Sequence, residues 1–289
     1  MSTVILAIIL DPPPHSEMVA PHLPQEIVEE IIDLLAGDKG SLLSCSLVST
    51  GWVDRSRYHL LANLKLRSLS DLQFWSGTGL GRFSHHVRSL DLVQNDELKW
   101  IVPDALAQVL NDFTSFYNVQ SLALIDLDLT LFDQHSLPRY FGHLSERLTS
   151  LSVKRSTVNP DTLLFFICMF PGLDDLELDN LSMGKTPISS PCPAVTPRFR
   201  GKLTLLNIKS NGTSAAAPFI DPPLPMAFRD VCVKNCRFDT PKSLRDLFVA
   251  CQETVKTVKV ARIYLGEFHL RSPTADVHVS PKPSVSNAP

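Results

Sequence analysis

No apolar run in this 289-residue chain approaches the length needed to cross a bilayer; the N-terminal one, Val4 to Leu10, is seven residues and ends at Asp11 and three prolines. That short run has no basic segment before it and no convincing small-residue cleavage site after it, so a secretory signal is not expected. Cysteine is sparse and scattered (Cys45, Cys168, Cys192, Cys232, Cys236, Cys251), which argues against a disulfide framework and for reduced thiols in an intracellular protein. The sequons at Asn180 and Asn211 matter only to a secreted chain. A formal net charge of −3 gives no general pull toward nucleic acid or acidic membranes.

Motifs that specify a reaction are missing too. Gly77-Thr78-Gly79-Leu80-Gly81 lacks the Lys-Ser/Thr that a phosphate loop needs, and reads as a flexible loop. No G-x-S-x-G elbow organises the serines and histidines. Cys232 and Cys236 have no second ligand pair at metal spacing, and His85-His86 reads as a solvated turn. Enzyme chemistry, cofactors and metals are therefore not expected.

What the chain does have is a concentration of hydrophobes between Leu23 and Trp52. Pro24 suits a first helical turn, and Ile27, Val28, Ile31, Ile32 and Leu35 recur at helical spacing among acids. Gly37 to Gly40 marks a turn, Ser41 can cap a second helix carrying Leu42, Leu43, Leu47 and Val48, and Trp52 opens a third helical stretch. Three helices of this size cannot hide all of that apolar surface from water, so the excess must meet a neighbouring domain or a partner.

A second pattern follows: apolar, two others, apolar, one other, apolar. It runs through Leu61-Leu64-Leu66, Val87-Leu90-Leu92, Val119-Leu122-Leu124 and Leu148-Leu151-Val153, then Leu173-Leu176-Leu178, Leu203-Leu206-Ile208, Phe228-Val231-Val233 and Val255-Val258-Val260. Alternation sends the last two members of each triplet into a core and leaves the residue between them facing out. The expected outward row is Lys65, Asp91, Ala123, Ser152, Glu177, Asn207, Cys232 and Lys259. Helical stripes between triplets are expected at Leu106 to Phe113, Thr162 to Phe170 and Leu244 to Cys251. Residues 67–86, 182–200 and 210–227 break the regularity, the last two as proline-rich loops. The recurrence has the period of a degenerate leucine-rich repeat, whose Asn/Cys turn position is only partly kept, at Asn95, Asn211 and Cys236.

The order Leu23-Pro24, Glu26-Ile27, helix-one hydrophobes, Leu47-Val48 and Trp52 resembles an F-box, and its pairing with irregular repeats resembles fungal-type F-box proteins. Ser49 stands where the family often has cysteine just after the Leu-Val pair. The resemblance implies an α/β chain: a three-helix F-box-like module followed by an irregular leucine-rich-repeat-like solenoid with a parallel sheet. It implies binding to a Skp-type adaptor through Leu23, Pro24, Ile27, Ile31, Leu47, Val48 and Trp52. The repeats would hold a protein target for a cullin-RING ubiquitin ligase, in the cytoplasm or nucleus, with no nucleic acid or membrane as partner. The expected divisions are a flexible leader at 1–20 (Met18 being an alternative start), the module at 21–60, the repeats at 61–270 and a disordered tail at 271–289. The competing expectation is a non-ligase repeat scaffold whose N-terminal helices only cap the solenoid.

Overall fold

The computed structural model describes residues 23–77, 80–94, 101, 114–132, 136–183, 201–208, 228–238, 245–249, 254–265 and 275–278. The leader, the expected helix at Leu106 to Phe113 and most of the two proline-rich loops lie outside the described residues.

The chain opens with three helices, α1 (Gln25–Leu34), α2 (Lys39–Val48) and α3 (Thr50–Leu61). Glu26 places negative charge in the first turn of α1, where the helix dipole favours it. The cap of α2 is Asp38 rather than the expected Ser41: its carboxylate accepts from the Gly40 and Ser41 amides at 3.0 and 3.2 Å. Ser41 instead donates its hydroxyl to Asp38 at 2.6 Å, inside the first turn. These bonds hold the Asp38 carboxyl below its ordinary value. Ser49 caps α3 through the Gly51 amide at 3.3 Å. Val28, Ile32 and Leu42 form a small core of their own, with Leu35, Trp52 and Leu60 packed on it.

Beyond α3 the architecture is α/β. Eight strands run parallel and join in chain order: β1 (Asn63–Leu66), β2 (Ser89–Val93), β3 (Ser121–Ile125), β4 (Ser150–Lys154), β6 (Asp175–Asp179), β8 (Lys202–Leu206), β9 (Asp230–Lys234) and β11 (Thr257–Ala261). Two short pairs, β5 (Thr157–Val158) with β7 (Ser182–Met183) and β10 (Arg237–Phe238) with β12 (Tyr264–Leu265), lie outside this sheet. Connecting segments include α4 (Leu69–Gly77), a 3-10 turn at Leu80–His86, α5 (Ser136–Phe141) and α6 (Pro160–Cys168). The glycine-rich break expected at 67–86 is thus largely helical, and its first half buries Leu72 and Trp75.

The strands share one frame. Leu64, Leu90, Leu122, Leu151, Leu176, Leu203 and Val231 are register partners in series and all are buried. Leu66, Leu92, Leu124, Val153, Leu178, Leu205 and Val233 form the second inward row. This corrects the sixth triplet: Leu203 and Leu205 are the strand's inward pair, Leu206 is not, Ile208 reaches the core only from the corner beyond β8, and the outward residue is Thr204, not Asn207. The corrected frame evens the spacing, since Asp175 to Lys202 is 27 residues and Lys202 to Asp230 is 28.

Each strand of the main sheet from β3 to β11 ends in the same corner. The next residue (Asp126, Arg155, Asn180, Asn207, Asn235, Arg262) adopts a left-handed φ between 49° and 61°. The following residue (Leu127, Ser156, Leu181, Ile208, Cys236, Ile263) turns back into the core. Asn and Asp tolerate that conformation better than other L-residues, and four of the six corners use them. The side chains also stack: Arg155 reaches Asp126 through two bonds of 2.7 Å, and Asn235 donates to Asn207 at 3.2 Å.

The tail carries a strand. Within the segment expected to be disordered, β13 (Ala275–His278) adds antiparallel to β11, placing Val277 beside Val258 and Asp276 beside Lys259. At the opposite end, Leu60 packs on both the small helical core and the main core, and Leu61 belongs to the latter.

Candidate functional site

Two surfaces and one cleft merit attention. The first surface is on α1 and at the end of α2. Ile27, Ile31 and Leu34 recur four and three residues apart, so they share one helix face, while Val28 and Ile32 on the adjoining face are buried. Leu23, Pro24, Ile27 and Ile31 are exposed, and Leu34 is 82 % exposed. At the end of α2, Leu47 and Val48 are 68 % and 65 % exposed, although Leu42 and Cys45 on the same helix are buried. Of the seven expected adaptor-binding residues, six are open to solvent; Trp52 is half-buried against the small core. Leu34, which continues the Ile27–Ile31 spacing, joins them on this exposed face.

This apolar face is held out by an electrostatic pin on the other side of α1. Asp33 accepts two bonds of 2.5 Å from the Arg55 guanidinium and contacts His59 at 2.7 Å. The Arg55 hydrogen bonds, helped by His59, pull the Asp33 carboxyl down to about 2. Gln25 adds a bond to the Gly51 carbonyl at 3.2 Å.

The cleft, about 440 Å³, lies between α1, α3 and the 3-10 turn, and is lined by Gln25, Glu29, Thr50, Gly51, Asp54, Arg55, Tyr58 and His86. Its cation is already committed to Asp33, and Arg55 and Arg88 flank the Tyr58 ring at 5.0 and 5.6 Å. Burial, with His85 alongside, pushes the His86 imidazole below its ordinary value and so toward the neutral form. His85-His86 is therefore a packed element of this junction rather than a solvated turn.

The second surface is the outward face of the sheet. Its central row is Lys65, Asp91, Ala123, Ser152, Glu177, Thr204, Cys232 and Lys259. Glu177 accepts from Ser152 at 3.0 Å and lies 3.0 Å from Lys154. Asp175 is half-buried, and that burial raises its carboxyl above the ordinary value against the pull of Lys202 at 3.9 Å.

Cys236 is a structural thiol. Its Sγ donates toward the carbonyls of Leu205 and Lys234 at 3.4 and 3.3 Å, and burial pushes it up to about 11. Ser156 fills the equivalent corner three sheet strands earlier, accepting from the Leu127 amide and donating to the Lys154 carbonyl. Among the described residues, no group of three or more His, Cys, Asp or Glu side chains converges as a metal site requires, and no helix is long and apolar enough to cross a membrane.

No protein-family model matches the chain, and no curated protein matches it in sequence.

Proposed function

We propose that this chain is a substrate-recognition subunit of a Skp–cullin–F-box type ubiquitin ligase, working in the cytoplasm or nucleus. In this reading residues 23–61 are an F-box-like module, and the eight parallel strands belong to an irregular leucine-rich-repeat-like solenoid. The observation that carries it is the exposure of Ile27, Ile31, Leu34, Leu47 and Val48 on helices that bury Val28, Ile32, Leu42 and Cys45. Had α1 and α2 served only to seal the repeats, those side chains would lie against the sheet. Sealing falls instead to the last turn of α3 and to α4, which contribute Leu61, Leu72 and Trp75 to the main core. Exposed apolar sets of this kind cost solubility unless a partner covers them.

The chain performs no bond chemistry in this scheme. It holds a target near the transferring enzyme, raising the effective concentration of the target's lysines there. The adaptor would be anchored by Leu23, Pro24, Ile27, Ile31, Leu47 and Val48, with Trp52 supporting them from the module's core. Replacing Leu23-Pro24 by Ala-Ala tests the reading: co-purification with the Skp-type adaptor should fall sharply while the fold persists. Undiminished co-purification favours the capped, non-ligase repeat scaffold.

A further inference from the structure

The last strand of the parallel array has a different kind of neighbour. The strands from β1 to β11 pair in parallel, but β13 (Ala275–His278) runs antiparallel along the outer edge of β11. It is an addition to the array rather than one of its repeats. Its register partners are Thr257 to Val260; Ala261 has a partner in β9 but none in β13. Val258 and Val260, the inward pair of β11, stay half-buried, whereas the inward pairs from β1 to β9 are buried. Core packing therefore adds little at this edge, and the backbone ladder carries the pairing. Ladder bonds are available to any extended chain, which makes such an edge exchangeable.

The resident strand shows what chemistry the edge takes. Register sets Asp276 opposite Lys259 and Val277 opposite Val258. Opposite charges and aliphatic pairs across an antiparallel ladder are favourable, and like charges are not. The β11 of a second copy is a poor occupant for that reason: laid antiparallel with all its residues paired, it would set Lys259 against Lys259. Lys259 also closes the outward row that begins at Lys65, so the edge continues the sheet's outward face. Residues 266–274 tether β13, and a short tether gives a strand an effective concentration in the millimolar range. A partner overcomes it by pairing the whole of β11 or by adding contacts on the outward face.

We propose that the outer edge of β11 is a strand-docking site for the protein target, and that β13 is the tethered strand the target displaces. The target enters as an extended segment antiparallel to β11, with an acid opposite Lys259 and an aliphatic residue opposite Val258. This rests on the reading that the chain holds a protein target and does not depend on the adaptor.

The test is NMR on the isotopically labelled full chain, wild type and Val277→Pro, titrated with the capped peptide Thr-Ala-Asp-Val-His-Val, the sequence of residues 274–279. Proline removes a backbone donor and opposes the strand, so it should free the edge. The variant should then saturate at a roughly ten-fold lower peptide concentration than wild type, with shifts clustered at 257–261. Asp276→Lys sets like charges in register and should free the edge in the same way, without a proline. A peptide with lysine in place of aspartate should bind several-fold more weakly, and Lys259→Glu in the Val277→Pro chain should reverse that order. Equal titration of wild type and both released variants, shifts scattered beyond β11, or no reversal by Lys259→Glu overturns the inference. A Val277→Pro chain that dimerises as its concentration rises and ignores the peptide assigns the edge to a second copy, and overturns it too. Adaptor co-purification should be the same for all these chains; its absence from the wild type would strike the ligase reading alone.

Discussion

Asp33 on α1 and Arg55 on α3 meet carboxylate to guanidinium through two bonds of 2.5 Å, and this pair ties the first helix to the third. The paired fork fixes orientation as well as distance, which a lone lysine could not do. α1 can therefore keep Ile27, Ile31 and Leu34 out in solvent without drifting on its small core.

That pin is pH-sensitive at its acid end. The folded Asp33 carboxyl sits at about 2 against an ordinary 3.8, so it binds a proton less readily folded than unfolded. Its contribution is fully present above the unfolded value and is lost as pH falls from 3.8 toward 2. Amide hydrogen exchange should show α1 losing protection across that window, and Asp33→Asn should remove the dependence while loosening α1 at neutral pH.

Exposed and buried neighbours on α1 and α2 should separate stability from the proposed docking. Ile31→Asp and Val48→Asp alter exposed sites, so stability should change by no more than about 0.5 kcal/mol while adaptor binding is lost. Ile32→Ala empties a fully buried site and should cost about 2–5 kcal/mol. Urea titration read beside adaptor co-purification distinguishes the two classes.

Gly201 precedes β8 where the chain passes over Asp174, whose carbonyl accepts from the Lys202 amide at 2.7 Å. A Cβ at Gly201 would stand 1.7 Å from that carbonyl oxygen and 2.3 Å from its carbon, backbone atoms that cannot swing aside as a side chain would. Gly201→Ala should therefore separate β6 from β8 and cost on the order of 4 kcal/mol, read from the denaturation midpoint.

Thiol chemistry should sort the cysteines of β9 and its corner. Cys236, pushed up to about 11 by burial, offers almost no thiolate near pH 8 and should resist iodoacetamide until the chain unfolds. Cys232, half-exposed on the outward face, should be labelled first. Peptide mass spectrometry of timed reactions checks the order.

Much of the sheet was legible because its inward rows are Leu and Val at strict alternation, as in Leu122-Leu124 and Leu176-Leu178. The frame slipped where alternation was ambiguous. Leu203, Leu205, Leu206 and Ile208 allow two registers three residues apart, and only pairing with β6 decides between them. That slip hid Thr204. The left-handed corners were invisible because Arg155 and Arg262 share a conformation with Asn180 and Asn207, and no single residue type announces it. β13 was masked by the Ser- and Pro-rich residues around it; Ala275 to His278 becomes a strand only because β11 offers an open edge. On the helical side, the hydrophobes of α1 were plain, but Trp52 faces the module's own core, a choice set by packing with Val28, Ile32 and Leu42.

Leu60 touches both cores and Leu61 lies within the second, so α3 is a shaft keyed to the sheet at one end and to α1 and α2 along its length. Whatever rests on the sheet is then presented at an angle set by the number of residues in that shaft. One residue added to α3 would offset its contacts with the two cores by about 100° about the helix axis.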